Sequence, residues 1–383
     1  MTTDFFAKQS EWARYKHQIL EKYLRVWVYK LSSQHPLLVY VDTCAGQGIY
    51  DDGQPGSPLI AARYNDSYLA PKGRQLLIIA CENKPGPFNK LSEALAPYTR
   101  ADPPLAIALQ MSFEEALPTI LERTRSVPTF VFIDPFGMKS MTAAKLRSLL
   151  EDTDRTKTEV LAKVDPYILA RFTGWLQTKK RDSRGTKTAQ SFKRLLEEFK
   201  IDQDLLRTYE SELKDERGSS RVLTLLAEYM QLFEDRFKWV LAIPVRPQYF
   251  TAPKYYLIHG TDNPHGAAHM NDVVSTTEDD LFLRSALQVA GDQLYLLPPE
   301  RQPRVGIEDA EKYIRTLLEQ EDDRHFVEVR AELAARFGPD LRERHHKEAV
   351  RNLIREGHVS LSRDRIEDYT RLTLVTHDPP PTI

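Results

Sequence analysis

The sequence predicts an α/β protein built on an open, doubly wound, mostly parallel sheet. Three observations carry that expectation. Short apolar runs alternate with amphipathic segments over residues 37–150, the rhythm of strands and crossover helices. Runs such as Leu76-Leu77-Ile78-Ile79-Ala80 are apolar throughout, as strands covered on both faces are. The first run ends in an acid and then two glycines two apart, Asp42-Thr43-Cys44-Ala45-Gly46-Gln47-Gly48. That is how a buried strand hands over to a turn that wraps a nucleotide-like ligand. The expected architecture is Rossmann-like, with a helical insertion and a C-terminal winged-helix-like domain.

Residues 5–31 should form a helix, because Trp12, Tyr15, Ile19, Tyr23, Val26 and Leu31 recur at helical spacing among charged residues. Strands are expected at 37–41, 75–81, 105–110 and 129–133, alternating with helices at 58–64, 89–95, 113–124 and 142–150. Residues 159–164 are a candidate fifth strand. Residues 166–218 are polar and charged, carry a basic stretch at Lys179, Lys180, Arg181, Arg184 and Lys187, and read as an insertion. A helix at 222–233 precedes strands at 239–245 and 255–259, whose short Pro-containing connection suits an antiparallel pair at the end of the sheet. The Pro- and charge-rich residues 297–304 read as a linker. Three helices at 307–319, 326–337 and 341–355 and two strands at 358–363 and 369–376 then suggest a winged helix. The domain boundaries expected are 1–36 for an N-terminal helical extension, 37–296 for the sheet domain and 305–378 for the last domain.

Composition narrows the class. The chain has 383 residues, 41% hydrophobic and 28% charged, within the range of globular domains. No apolar run approaches the ~20 residues that span a bilayer, and the N-terminus lacks a basic segment followed by an apolar one. Two cysteines, Cys44 and Cys81, make no disulfide framework and read as reduced thiols. A cytoplasmic protein without a membrane segment is the expectation. The net charge of −2 gives no global case for nucleic acid, so any such binding must come from local patches.

In an open parallel sheet, ligands bind beyond the carboxyl ends of the strands. The residues just past each strand are therefore the candidate site: Asp42, Ala45, Gly46 and Gly48, then Glu82 and Asn83, then Met111 and Ser112, then Asp134. The glycine turn would approach the ligand, Glu82 would pair two ribose hydroxyls, Met111 and Ser112 would flank a purine, and Asp134 would face the reacting group. A dinucleotide fingerprint would place a third glycine where Asp51 stands, and Asp51-Asp52 would repel a pyrophosphate. S-adenosylmethionine carries a sulfonium cation and no phosphate, so it is favoured over NAD.

Asp42-Thr43-Cys44-Ala45-Gly46-Gln47-Gly48-Ile49-Tyr50, with Gly56-Ser57-Pro58 soon after, resembles the three-Cys-motif partner protein family. Phe5-Phe6 with Trp12-Ala13-Arg14-Tyr15-Lys16, Phe132-Ile133-Asp134-Pro135-Phe136-Gly137 and, more loosely, Tyr255-Tyr256-Leu257-Ile258-His259-Gly260 are also similar to it. The resemblance covers about residues 5–290. It implies a fold similar to class I S-adenosylmethionine-dependent methyltransferases, and the family's name implies a partner, a radical S-adenosylmethionine-like protein with three cysteines.

Amino-methyltransferases acting on adenine use Asp/Asn-Pro-Pro-Tyr/Phe, whose acid and proline carbonyl accept hydrogen bonds from the exocyclic amine while the aromatic ring stacks on the flipped base. Asp134-Pro135 matches the first half, and Phe136 then stands in the second proline's place, one out of register. The candidate catalytic set is Asp134, Pro135 and Phe136. Lys16, Tyr50 and Ser57 are candidate substrate contacts near the turn, and Arg342 and Lys347 are candidate phosphate contacts on the last helix, together with His346. His259, His265 and His269 lack a carboxylate or cysteine at ligand spacing, so no metal is expected. Two functions stay open: methyl transfer to nucleic acid, and a non-catalytic adaptor for nucleic acid or the three-Cys-motif partner.

Overall fold

The computed structural model describes residues 9–135, 157–165, 219–290 and 299–375. The helix expected at 142–150, the insertion at 166–218 with its basic stretch, and Phe136 lie outside them. The chain forms two compact units. One comprises 1–237, 244–247 and 252–260; the other comprises 238–243, 248–251 and 261–383.

In the first unit, helix α1 (Glu11–Leu31) begins where the Ser10 hydroxyl accepts the Ala13 N–H, 3.3 Å away, satisfying one of the helix's orphan donors. Tyr15, Ile19, Tyr23 and Trp27 form its buried stripe. The sheet follows, with β1 (Leu37–Asp42), β2 (Gln75–Cys81), β3 (Ala106–Leu109), β4 (Thr129–Ile133), β5 (Thr158–Val164), β6 (Trp239–Val245), whose residues 239–243 are grouped with the second unit, and β7 (Tyr255–Thr261). Helices α2 (Ser57–Tyr64), α3 (Pro85–Thr99) and α4 (Phe113–Thr124) connect the early strands, and α5 (Ser219–Glu234) precedes β6. The strand order is β3-β2-β1-β4-β5-β7-β6. The strands from β3 to β5 pair in parallel, and β7 runs antiparallel to β5. This is the α/β, Rossmann-like, mostly parallel sheet that the apolar runs predicted. All five residues of β4 are buried, as a central strand covered on both faces requires.

Chain direction across the sheet positions the site. From β1 the chain moves outward to β2 and β3, then returns to the other side of β1 as β4. The strand order reverses between β1 and β4, and at such a switch point the loops leaving the two strands part and open a crevice. The last link closing the pair is the Thr43 N–H donated to the Phe132 carbonyl, 3.1 Å away.

The second unit contains α6 (Pro264–Ala290), α7 (Ile307–Gln320), β8 (Arg324–His325), α8 (Phe326–Phe337), α9 (Glu343–Arg355), β9 (Val359–Leu361) and β10 (Arg371–Leu374). The short strands form an antiparallel sheet in the order β8-β10-β9. Leu317, Phe326, Leu333, Leu341, Val350, Leu353 and Leu372 meet in one core. The 27-residue α6 had no counterpart in the sequence reading. Its buried positions include Asn271, Ser275, Thr277, Glu278 and Ser285, so no clean apolar stripe marks it. The last helix starts at Glu343, two residues later than expected, and β8 is too short to show a periodicity. No helix among the described residues is long and apolar enough to cross a membrane.

Candidate functional site

The crevice at the carboxyl ends of β1 and β4 is an open cleft of about 460 Å³, within the range of small-molecule sites. The turn after β1 builds one wall. Gly46 and Gly48 have φ of 62° and 74°, the left-handed region that side chains disfavour. The turn closes on itself through the Gly56 N–H donated to the Gly48 carbonyl, 2.7 Å away, and the Tyr50 N–H donated to the Gln54 carbonyl, 2.8 Å away. A Cβ on Gly48 would stand 3.0 Å from Leu91 Cδ1 of α3, and one on Gly56 would stand 2.8 Å from the Gly48 oxygen. Close packing within the protein, as well as room for a ligand, thus demands glycine here. Ala45, Tyr50 and Ser57 line the same wall.

Asp134 forms the floor. Its Oδ2 accepts a short hydrogen bond from Lys16 Nζ of α1, and Lys163 Nζ of β5 lies 3.2 Å from Oδ1. The same Lys163 ammonium donates to the Pro135 carbonyl, 3.3 Å away. Burial pushes the Asp134 carboxyl up, but the Lys16 and Lys163 charges outweigh it and hold the group well below the usual carboxylate range. His17, also lining the cleft, is pushed down to about 3 by burial and then by Lys16, so its imidazole is neutral at pH 7. Tyr255 donates its hydroxyl to the Trp12 carbonyl, 3.3 Å away, and Lys254 Nζ lies 4.0 Å above the Trp12 ring. These contacts fasten the start of α1 beside β7.

Asp42 is fully buried and turned into the protein. Its Oδ1 accepts the Cys44 N–H and its Oδ2 the Tyr40 hydroxyl, each at 3.3 Å, and Ser57 also hydrogen-bonds it. Burial holds this carboxyl up at about 6, against the hydrogen bonds from Ser57 and Cys44. It braces the glycine turn and the start of α2 and is not a wall of the cleft. Glu82 directly follows β2, is 6% exposed, and accepts the Lys84 N–H on Oε1 at 2.8 Å. No described residue engages its Oε2. Asn83 is exposed and Met111 half-buried. Ser112 is the N-cap of α4, its side chain bonded to Glu115 in a reciprocal capping box. Glu82, Asn83, Met111 and Ser112 do not line the described cleft.

The structure therefore gathers Ala45, Gly46, Gly48, Tyr50, Ser57, Lys16 and Asp134 around one cavity. It adds Trp12, His17, Lys163, Lys254 and Tyr255, which sequence reasoning did not select. Lys163 did carry a signal, an ammonium inside the otherwise apolar tail of a buried strand. Pro135 lies beside Asp134, and Phe136 is outside the described residues.

Elsewhere the picture shifts. Arg342 pairs with Asp279 at 2.9 Å and Lys347 with Glu343 at 2.6 Å. His346 corrects the expectation that it faces phosphates: it is 1% exposed, and burial followed by Arg330 holds it down at about 3. His259 Nε2 meets Glu159 at 3.3 Å and His265 meets Asp368 at 3.2 Å. No group of three or more metal-ligating side chains occurs among the described residues.

The residues partly fit S-adenosylmethionine. The positive-φ turn and the buried, half-engaged Glu82 suit an adenosine moiety. The acids expected beside a sulfonium are less apt, because Asp42 points inward and Asp134 is matched by two ammonium groups.

Neither a protein-family model nor a curated protein sequence matches the chain. Among solved structures, it is similar to a Legionella pneumophila protein of the family model DUF519, at 13% identity over 69% of this chain and 91% of that one, with a TM-score of 0.39. It is similar to a Clostridium thermocellum protein described as an rRNA methylase, at 9% identity over 62% of this chain and 95% of that one, with a TM-score of 0.27. A proposed sarcosine dimethylglycine methyltransferase of Galdieria sulphuraria shares 10% over 63% and 85%, with a TM-score of 0.27. The strand order, not these likenesses, carries the fold assignment.

Proposed function

We propose that this chain binds S-adenosylmethionine at the β1/β4 crevice and transfers its methyl group to an amino group of a nucleic-acid base, acting with a three-Cys-motif radical S-adenosylmethionine-like protein. The observation that carries the reading is the convergence of the positive-φ Gly46–Gly48 turn and Asp134 at the crevice where the strand order reverses. When bound, the cofactor supplies an electrophilic methyl group. Gly46 and Gly48 would let backbone approach it, and Glu82, at the neighbouring strand end outside the described cleft, would accept from ribose hydroxyls if the adenosine reached past the cleft toward β2. Asp134 and the Pro135 carbonyl accept hydrogen bonds from the acceptor amine and hold its lone pair in line, so catalysis is by positioning. The Lys163 ammonium now bridges that pair of acceptors, at 3.2 and 3.3 Å, as the acceptor amine would.

The same bridge favours a second reading. With Lys16 and Lys163 satisfying Asp134, the crevice is stable without an acceptor amine, which suits a non-catalytic adaptor for nucleic acid or for the three-Cys-motif protein. Tritium-labelled cofactor separates the two. Equilibrium dialysis should show binding that Glu82→Ala weakens about tenfold or more, the worth of a charge-assisted hydrogen bond. Label should then enter tRNA, rRNA or DNA. Retained cofactor without incorporation selects the adaptor, and no retention removes the cofactor from both readings.

A further inference from the structure

The outer face of α9 and the β9–β10 hairpin is the second candidate surface. Helix α9 turns Ala349, Val350 and Leu353 into the core of its unit. Its opposite face carries Arg344, Glu348, Arg351 and Arg355, all exposed, at the helical spacing that puts them on one side. The hairpin that follows exposes Arg363, Asp364 and Arg365. Among the described residues, Arg351, Arg355, Arg363 and Arg365 have no ion-pair partner. By contrast, Arg342 and Lys347, nearer the start of the helix, are already paired.

Charge is sorted within the unit. Between Ile307 and Asp340 there are 10 acids and 5 bases; between Arg342 and Arg371 there are 8 bases and 6 acids. Glu348, Glu356, Asp364 and Glu367 lie among the arginines and dilute the face without reversing it.

We infer that this face binds double-stranded DNA, with α9 in the major groove and the β9–β10 hairpin against the adjoining backbone. The inference rests on the nucleic-acid part of the function proposed above and not on methyl transfer. A helix about 10–12 Å across matches the ~12 Å major groove of B-form DNA, whereas the deep, narrow major groove of A-form RNA does not admit one. Arg351 and Arg355 stand one helical turn apart, about 6 Å along the axis, and arginine suits bidentate contacts to phosphate. The apolar inner face of α9 fixes the outer face in one orientation.

The test is fluorescence anisotropy of a labelled 24-base-pair DNA duplex with the full chain, over a range of salt. With four arginines each neutralising one phosphate, the logarithm of affinity should fall with the logarithm of salt at a slope of about −4, and at about −2 in Arg351→Ala/Arg355→Ala. Arg351→Glu/Arg355→Glu should weaken binding more than about tenfold with an unchanged melting temperature. Glu348→Lys should tighten it several-fold, a gain that misfolding cannot produce. An RNA duplex of the same sequence binding as tightly as the DNA, a charge-reversal variant binding like wild type, or Glu348→Lys binding no tighter would each overturn the inference. Methyl incorporation into RNA in a chain that fails to bind DNA would overturn this inference alone.

Discussion

Asp134 in the first unit and Arg301 in the second are both ionised groups largely withdrawn from water, and both are held by opposite charges. Arg301 is 4% exposed at its side chain. Its Nε donates to Asp279 at 2.7 Å, one terminal nitrogen meets Glu278 and Asp340 at 3.5 and 3.3 Å, and the other donates to Ser275 and the Pro339 carbonyl at 2.8 and 2.9 Å. Every nitrogen is engaged, and the guanidinium ties the stretch before α7 to α6 and to the turn after α8. Asp134 is held by two cations only, and one of them, Lys163, is shared with the Pro135 carbonyl and is 23% exposed on the cleft. A saturated buried charge is a structural pin. A buried charge with an exchangeable partner facing a cavity is a site.

That distinction predicts unequal costs. Arg301→Leu removes the buried guanidinium that Glu278, Asp279 and Asp340 share and should cost about 3–5 kcal/mol, the range for breaking a buried pair. Lys163→Met removes a partly exposed partner while Lys16 still covers Asp134, and should cost no more than about 1 kcal/mol. Urea denaturation measures both, and hydrogen exchange reports where protection is lost: α6 and α8 for Arg301→Leu, β4 and β5 for Lys163→Met. Equal costs would erase the contrast between pin and site.

Within the first unit, two acids at the ends of neighbouring strands should respond to pH with opposite signs. Asp42 is held up at about 6 by burial, so the native state keeps a proton that the unfolded chain has released between about pH 4 and 6. Stability therefore falls as pH rises through that window, by about 3 kcal/mol in all. Asp134 is held down by Lys16 and Lys163 against its burial, so its contribution is complete above about pH 4 and is lost as pH falls below. Thermal melts should show that Asp42→Asn flattens the loss between pH 4 and 6, and that Asp134→Asn flattens only the loss on the acid side of 4. A pH profile of Asp42→Asn parallel to wild type would show that burial does not perturb this group.

How much of this was legible follows the same physics. Strands β2, β4 and β6 and helix α4 were readable to the residue, because continuous apolar runs and amphipathic spacing are local signals. Helix α6 was not, since polar side chains such as Asn271, Ser275 and Thr277 interrupt the apolar ones at its buried positions. Asp134 and the glycine turn were legible because strand ends in such sheets hold the chemistry. The Lys16–Asp134–Lys163 arrangement was not, because it joins α1, β4 and β5, which are distant in sequence. His346 misled because a histidine between cations reads as solvent-facing, whereas the helix's phase turns it inward beside Val350 and Ala349. Ser112 misled because a strand-end hydroxyl can serve a ligand or cap a helix, and only coordinates distinguish the two.

The smallest expected effect separates the two units through glycine. Gly48 in the cleft turn and Gly357 just past α9 both hold left-handed backbone, at φ of 74° and 76°. An alanine at either position pays for that conformation with about 1–2 kcal/mol. At Gly357 nothing stands within 4 Å of the added methyl, so backbone strain is the whole cost. At Gly48 the methyl would also meet Leu91 Cδ1 at 3.0 Å and the Ala94 Cβ at 3.4 Å. The Leu91 end is flexible, so it can yield, but yielding moves the turn against α3 and reshapes the wall of the cleft. The melting temperatures of Gly48→Ala and Gly357→Ala should therefore drop by similar amounts, with Gly48→Ala the larger. Only Gly48→Ala should also weaken S-adenosylmethionine retention in dialysis. If Gly357→Ala weakened retention as much, the loss would reflect general destabilisation, and the glycine turn would be a packing device and nothing more.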